Sequence, residues 1–299
     1  MTSPLDAGRL RLLREVGLRG SIAGAARTVG LTPSAVSQQL AQLEREAGVA
    51  LLDRSPRGVV LTGAGSALAD RAGQLLDVLA AARADLDRIG GAVAGPVRVA
   101  SVASAAATVV SRAVAGLRAD SPGIVVSVLA AEPERGIGLL LTGDVDVAVV
   151  DEYDYVPLAL PEAATVRDLD AEPLVAVRPS GASGRGVGLA QLADVDWVMP
   201  PEDAACGRAV RAACRTIGFE PRVRWETDDM LLLTQAVADG HGVAVLPRRS
   251  VATGVAGVRT VPLREPALTR RLRAVARSSA VSRPVVAEVI EAFARACST

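Results

Sequence analysis

The chain has 299 residues, enough for two or three domains with separate cores. Half of the residues are hydrophobic and only 2% aromatic, so cores of Ala, Val and Leu are expected, and all 33 basic residues are arginine, balanced by 33 acids. No apolar run reaches the roughly 20 residues of a membrane helix, the first residues do not read as a secretory signal, and three cysteines at no metal-ligand spacing fit a reduced cytoplasmic protein with no metal or cofactor.

Residues 1–62 carry eight Arg against five acids, a net +3 that permits nucleic-acid binding without requiring it. Leu10, Leu13 and Val16 predict a helix over residues 6–19. Ser21 stands as an N-cap for a second helix, which Gly30 stops, and Thr32-Pro33 restarts a third with a hydroxyl cap and proline in the first turn. Two short helices joined by a Gly-containing turn predict a helix-turn-helix. At about 100° per residue, Val36, Leu40 and Leu43 of the third helix face a core. Ser34, Gln38, Ala41 and Arg45 face outward, flanked by Ser37 and Gln42. That face holds hydroxyls, amides and an arginine but no acid; Gln reads adenine edges and Ser reaches bases or phosphates. A plain solvated face is the alternative. Two short apolar segments then flank Ser55-Pro56-Arg57-Gly58, which predicts a hairpin wing with Arg54 and Arg57 toward the backbone or minor groove.

These residues carry a resemblance. Ala25-Ala26, the run Thr32-Pro33-Ser34-Ala35-Val36-Ser37-Gln38-Gln39-Leu40, Leu43-Glu44, Gly48, Leu51, Arg54 and Leu61-Thr62-x-x-Gly65 resemble, in one register, the DNA-binding domain of LysR-type transcriptional regulators. The chain departs from that family's habits at Leu52, where Phe is common, and at Gln38 and Gln42, where Arg or Lys is common. More of the phosphate contact then falls to Arg27, Arg45, Arg54 and Arg57. The candidate DNA contacts are Arg27, Thr32, Ser34, Ser37, Gln38, Gln42, Arg45, Arg54 and Arg57. The resemblance implies double-stranded promoter DNA as partner, an interrupted palindrome as operator, and a tetramer on DNA.

From Thr62 a long helix is predicted to Ile89, before Gly90-Gly91. Leu68, Ala72, Leu75, Leu79, Ala82, Leu86 and Ile89 recur at spacings of four and three, an a/d seam that predicts a homodimer. A helix packed on its own domain would show a broader stripe. The expected domains are 1–62 for the winged helix-turn-helix, 63–95 for the linker helix and hinge, and 96–299 for effector binding. Within the last, lobe I is expected over about 96–165 and 266–299, and lobe II over about 166–265.

After residue 95, short β-branched runs alternate with helical stretches and predict an α/β fold with a parallel sheet. Strands are expected at 97–102, 125–129, 145–150, 174–177, 197–198, 222–227, 243–246 and 271–276, and helices near 105–118, 134–141, 205–217, 230–238 and 285–296. Two such lobes leave a ligand cleft between them. This part resembles the effector domain of the same family, itself similar to periplasmic solute-binding proteins, with Gly240-x-Gly242-Val243-Ala244-Val245-Leu246-Pro247 as its late strand motif. Ser101 and Ser104, between the first strand and its helix, either cap that helix or, with its free N–H groups, favour a carboxylate effector. Thr227 is placed to close on the ligand from the other lobe; Asp228 either caps a helix or holds an amine.

Catalysis finds little support. His241 is the only histidine and lies between two glycines, where it reads as a loop or packing residue. The glycine-rich stretch Gly181–Gly188 lacks the Lys-Ser/Thr ending of a phosphate loop. Cys206 and Cys214 lie eight apart on one predicted helix, too far for a disulfide. A sequence-specific, effector-responsive regulator is therefore expected. The alternative is a solute-binding or enzymatic α/β protein carrying an incidental N-terminal helical module.

Overall fold

Short polar side chains set the start of each of the first three helices. In the computed structural model, which describes residues 5–55, 58–89, 93–162 and 164–297, α1 (Ala7–Arg19) starts where Asp6 accepts the Arg9 N–H at 3.0 Å. Likewise α2 (Ile22–Val29) starts at Ser21, which accepts from Gly24, and α3 (Pro33–Ala47) at Thr32, which accepts from Ala35. Each cap satisfies one of the helix's otherwise unpaired N–H groups, worth about 1 kcal/mol. Gly20, Gly30 and Gly48 end the three helices in the left-handed conformation that glycine adopts without a Cβ penalty.

The chain falls into two units, Met1–Gly91 and Ala92–Thr299. In the first, α1–α3 close around Leu13, Ala25, Val36, Leu40 and Leu43. The hairpin of β1 (Leu52–Ser55) and β2 (Gly58–Leu61) follows, with Leu52 opposite Leu61. Thr62 then caps α4 (Gly63–Ile89) by accepting the Gly65 N–H at 3.0 Å, while its own hydroxyl donates to the Ala50 carbonyl at 2.8 Å.

The second unit is built on a mixed sheet, not the parallel one expected. β3 (Gly95–Ser101) pairs in parallel with β4 (Ile124–Ala130) and β5 (Val147–Tyr153). β11 (Thr269–Arg277) joins antiparallel to β5 and also to β6 (Ala164–Pro179). The second half of β6 leaves this lobe and pairs antiparallel with β9 (Ala244–Pro247) and β10 (Val258–Pro262). One 16-residue strand is thus shared by both lobes. Fully buried Val147–Val150 on β5 forms the kind of continuous apolar run that a two-sided sheet needs.

Lobe I is faced by α5 (Ala103–Ala105), which passes through a π-helical turn at Ala106–Val110 into α6 (Ser111–Asp120), and by α7 (Pro133–Thr142). The short α10 (Ser278–Val281) leads into α11 (Pro284–Cys297), which packs Val286, Val289 and Phe293 into the lobe I core. Lobe II holds a parallel pair, β7 (Asp196–Met199) and β8 (Arg222–Glu226), with α8 (Ala205–Thr216) and α9 (Met230–Ala238). On α8 a single face, from Cys206 through Ala209, Val210 and Ala213 to Cys214, is buried around Trp197. No helix of the described residues is long and apolar enough to cross a membrane.

Candidate functional site: nucleic-acid interface and effector cleft

In the first unit, α3 turns Val36, Leu40 and Leu43 into the core and leaves Ser34, Gln38 and Arg45 exposed. Ser37 is half-buried, and the Thr32 and Ser34 hydroxyls share a hydrogen bond of 3.0 Å. Gln42 is occupied: its amide donates to Glu46 at 2.8 Å, and its oxygen accepts from Arg45 at 2.6 Å. The Gln42 hydrogen bond and then Arg9, which also reaches Glu46, hold the Glu46 carboxyl below its ordinary range. The side chains left exposed along this face include Ser34, its hydroxyl shared with Thr32, and Gln38, joined by an exposed Gln39 that the sequence reading passed over. Arg27 is exposed on α2. Arg57 lies outside the described residues, as does the side chain of Arg54.

Glu44 does something the sequence did not announce. Its Oε1 accepts the N–H groups of Leu51 at 2.9 Å and Leu52 at 3.1 Å, tying the root of the wing to the recognition helix. On α4 the predicted seam divides. Ala72 is buried in the unit's own core and Leu68 packs against it, so these two are used within the chain. Leu75, Leu79, Ala82 and Leu86 are exposed, and the side chain of Ile89 lies outside the described residues. The first turns of α4 cover α1, whereas among the described residues of the later turns Leu75, Val78, Leu79 and Leu86 are left exposed.

In the second unit a narrow cleft of about 50 Å³ opens between the lobes, walled by α5, the segment leading into α7, the N-terminal end of α8 and the start of α9. A wider mouth beside it is lined by Ala107 and Thr108 of the π-helical turn and by Arg249–Thr253. The buried Arg211 guanidinium fixes one wall by donating to the Pro200 carbonyl at 2.8 Å while pairing with Glu226.

Of the four expected effector residues, Ser104 and Asp228 line the cleft. Ser101 does not: it is fully buried, and its hydroxyl donates to the Val102 carbonyl. Thr227 is also absent from the lining and accepts the Asp229 N–H. Asp229 caps α9 by accepting from Leu231 and Leu232, leaving Asp228 out of that cap.

The principal group that sequence reasoning missed lies beneath the cleft. Arg270 has 0% exposure and gives its Nε to Glu172 at 3.0 Å and its Nη1 to Ser104 Oγ at 2.6 Å, while lying 3.6 Å from Asp151 Oδ2. Tyr153 donates to the same Asp151 oxygen at 2.9 Å, and Glu172 also accepts the Arg249 N–H. Alternation held the signal, because Arg270 is in phase with the inward-facing Leu272, Ala274 and Ala276 of β11. Burial pushes the Asp151 carboxyl up, against the pull of Arg270. Burial likewise raises Glu132, and repulsion from Asp151, Glu134 and Asp228 adds to it. These charges oppose the expected carboxylate effector: Glu132, Asp151 and Asp228 line the cleft, and Arg270 is already engaged by Glu172 and Asp151.

Cys206 also lines the cleft, and burial, reinforced by Asp151, pushes its thiol up to about 12. The thiolate fraction at pH 8 is then on the order of 10⁻⁴. Native protein incubated with iodoacetamide or hydrogen peroxide should keep Cys206 unmodified by mass spectrometry while denatured protein reacts; rapid native labelling would contradict this. No group of three His, Cys, Asp or Glu among the described residues is close enough to hold a metal ion.

A winged helix-turn-helix followed by a two-lobed cleft defines a DNA-binding regulator with an effector-binding domain. Comparison with known proteins makes the class specific. The model described as "Bacterial regulatory helix-turn-helix protein, lysR family" matches residues 8–66, and that of the "LysR substrate binding domain" matches 90–298. A probable HTH-type transcriptional regulator, LrrA of Synechococcus elongatus, is 30% identical over 82% of this chain and 81% of its own. The nitrogen assimilation regulatory protein nac of Escherichia coli is 29% identical over 80% and 77%. Among solved structures, a full-length OxyR variant of Pseudomonas aeruginosa has a TM-score of 0.75 at 18% identity, over 97% and 95% of the two chains. CbnR in complex with its target DNA has 0.57 at 21% identity, over 98% and 99%. The chain belongs to the LysR family of transcriptional regulators.

Proposed function

We propose that the protein is a cytoplasmic, non-catalytic regulator. Residues 1–62 read a promoter, 63–95 join the units, and 96–299 sense a small-molecule effector, with lobe I taken as about 96–165 plus 266–299 and lobe II as about 166–265. The observation that carries the DNA half is the exposed, acid-free patch of Ser34, Gln38 and Arg45 on α3. Ser34 and Gln38 reach base edges in the major groove, and Arg27, Arg45, Arg54 and Arg57 hold phosphates. Thr32, Ser37 and Gln42 brace the helix that carries them. Effector in the cleft shifts the balance between lobe arrangements by binding one more tightly than the other, and so changes operator engagement.

Gel shifts over a salt series, on DNA selected from a random pool, test this reading. Specific binding that weakens steeply with salt is expected, and no binding to any selected sequence would sink it. Gln38→Ala should cost about 1–3 kcal/mol on the preferred site and little on unrelated DNA.

The exposed leucines of α4 support a homodimer that presents two recognition helices to related half-sites, two dimers forming a tetramer on DNA. Leu79 is 50% exposed and Leu86 is 62% exposed, so the double variant Leu79→Asp, Leu86→Asp leaves the fold intact but breaks the seam. Light scattering should then report monomers, and promoter affinity should fall about a hundredfold through lost bivalency. A variant still dimeric, with unchanged affinity, would remove α4 from this role.

A further inference from the structure

Taking the cleft as the effector site, the charges inside it constrain what the effector is. Three carboxylates line it from different parts of the chain: Glu132 from the segment before α7, Asp151 from β5, and Asp228 from the opposite lobe, before α9. The Glu132 carbonyl accepts the Gly136 N–H, but neither the Glu132 nor the Asp228 carboxylate has a hydrogen-bond or salt-bridge partner among the described residues. Asp151 is only 6% exposed, and both its side-chain partners, Tyr153 and Arg270, reach Oδ2. Its Oδ1 has no side-chain partner among the described residues. Arg270 balances this charge only in part, because it is shared with Glu172 and also donates to the Ser104 hydroxyl. Like charges gathered around a partly desolvated cavity are costly unless a ligand cation completes them.

Two neighbouring features narrow the chemistry. Across the lobes, Arg208 of α8 donates to Glu134 of α7 at 2.8 Å, two residues from Glu132. The fold thus already bridges its lobes with a guanidinium and a carboxylate. The rest of the cleft is largely apolar, with Val102, Ala103, Ala204, Ala205 and Met230 on its walls. The carboxylates are also too spread for a metal ion, since no three acidic, His or Cys groups of the described residues cluster. We infer that the cleft takes a small organic cation, an ammonium or guanidinium group on a short apolar stem, held between Glu132 and Asp151 of one lobe and Asp228 of the other. A cation so placed draws the two lobes together, which a ligand bound to one lobe alone does not.

The inference rests on the effector reading, and the test separates the two. Full-length protein is titrated calorimetrically with putrescine and agmatine, with succinate and glutarate of similar length, and with magnesium chloride. Promoter binding is measured on the same samples. The amines should bind and the diacids and magnesium should not. Glu132→Gln and Asp228→Asn, both at exposed positions that leave folding intact, should each weaken amine binding about tenfold. Diacid or magnesium binding without amine binding overturns the inference. So does amine affinity unchanged in both variants, or no amine binding at millimolar concentration. An amine that binds through these residues yet leaves promoter binding unchanged supports the cation site and overturns the effector reading. A diacid that binds and alters promoter binding does the reverse.

Discussion

Gly65→Ala is expected to unfold the DNA-binding unit or leave it barely stable. A Cβ at this position would lie 2.0 Å from the Leu51 carbonyl oxygen and 2.9 Å from its carbon, both backbone atoms. That carbonyl cannot yield freely, because it accepts the Thr62 N–H at 3.0 Å, and the Leu51 N–H is held by Glu44. The added methyl must push α4 off the root of the wing. Overpacking of this kind costs about 3 kcal/mol, a large share of the stability of a unit this small. Gly63→Ala is the control, with open space where its Cβ would go. Thermal melts followed by circular dichroism, with a gel shift at each temperature, should show the Gly63 variant near wild type and the Gly65 variant without DNA binding. Equal melting of the two variants would show that the approach of Leu51 to Gly65 is not tight.

Arg270→Met should be the most damaging change in the effector domain. It removes the one guanidinium between Glu172 and Asp151 and strips Ser104 of its donor. Arg270 is at 0% exposure and both acids at 6%, so water cannot replace it without opening the sheet. Breaking a buried pair from one side costs about 3–5 kcal/mol, whereas neutralising both sides costs far less. Glu172→Gln added to Arg270→Met should therefore recover part of the loss in urea unfolding. Additive losses in the double variant would mean that the two groups are not coupled.

The N-terminal unit was largely legible because its punctuation is chemical. Asp6, Ser21, Thr32 and Thr62 each accept the N–H that starts a helix, and glycines at 20, 30 and 48 end three of them. β6 was less legible. Only Leu174–Val177 of β6 carries an apolar signature; the half before it holds Arg167, Asp168, Asp170 and Glu172. That half is a strand because its partners are charged as well. Arg273 of β11 pairs with Asp168 at 2.9 Å and also reaches Glu152 of β5. Cross-strand ion pairs of this sort leave no alternation of apolar and polar residues to read. β10 was missed because it is five residues long and follows the turns at Gly254 and Gly257.

The cleft was legible only in part for a related reason. Ser101 and Ser104 suggested anion chemistry by residue type, whereas the acids that line the cleft come from positions 132, 151 and 228. Arg270, the buried cation beneath it, sits next to Arg271, which is partly exposed and pairs with Asp154. Only the inward phase of β11 distinguishes the two.

The single carboxylate of Glu44 that joins α3 to the root of the hairpin has a consequence for the DNA. If helix and wing enter the grooves as proposed, Glu44 limits how far they can adjust separately, and the distance between them acts as a gauge. Duplex whose groove spacing already fits pays no deformation energy, and stiffer or wider duplex must bend to be held. Operator choice would then depend on base steps that no side chain touches, and loosening the gauge with Glu44→Ala should flatten that dependence before it weakens the contacts themselves.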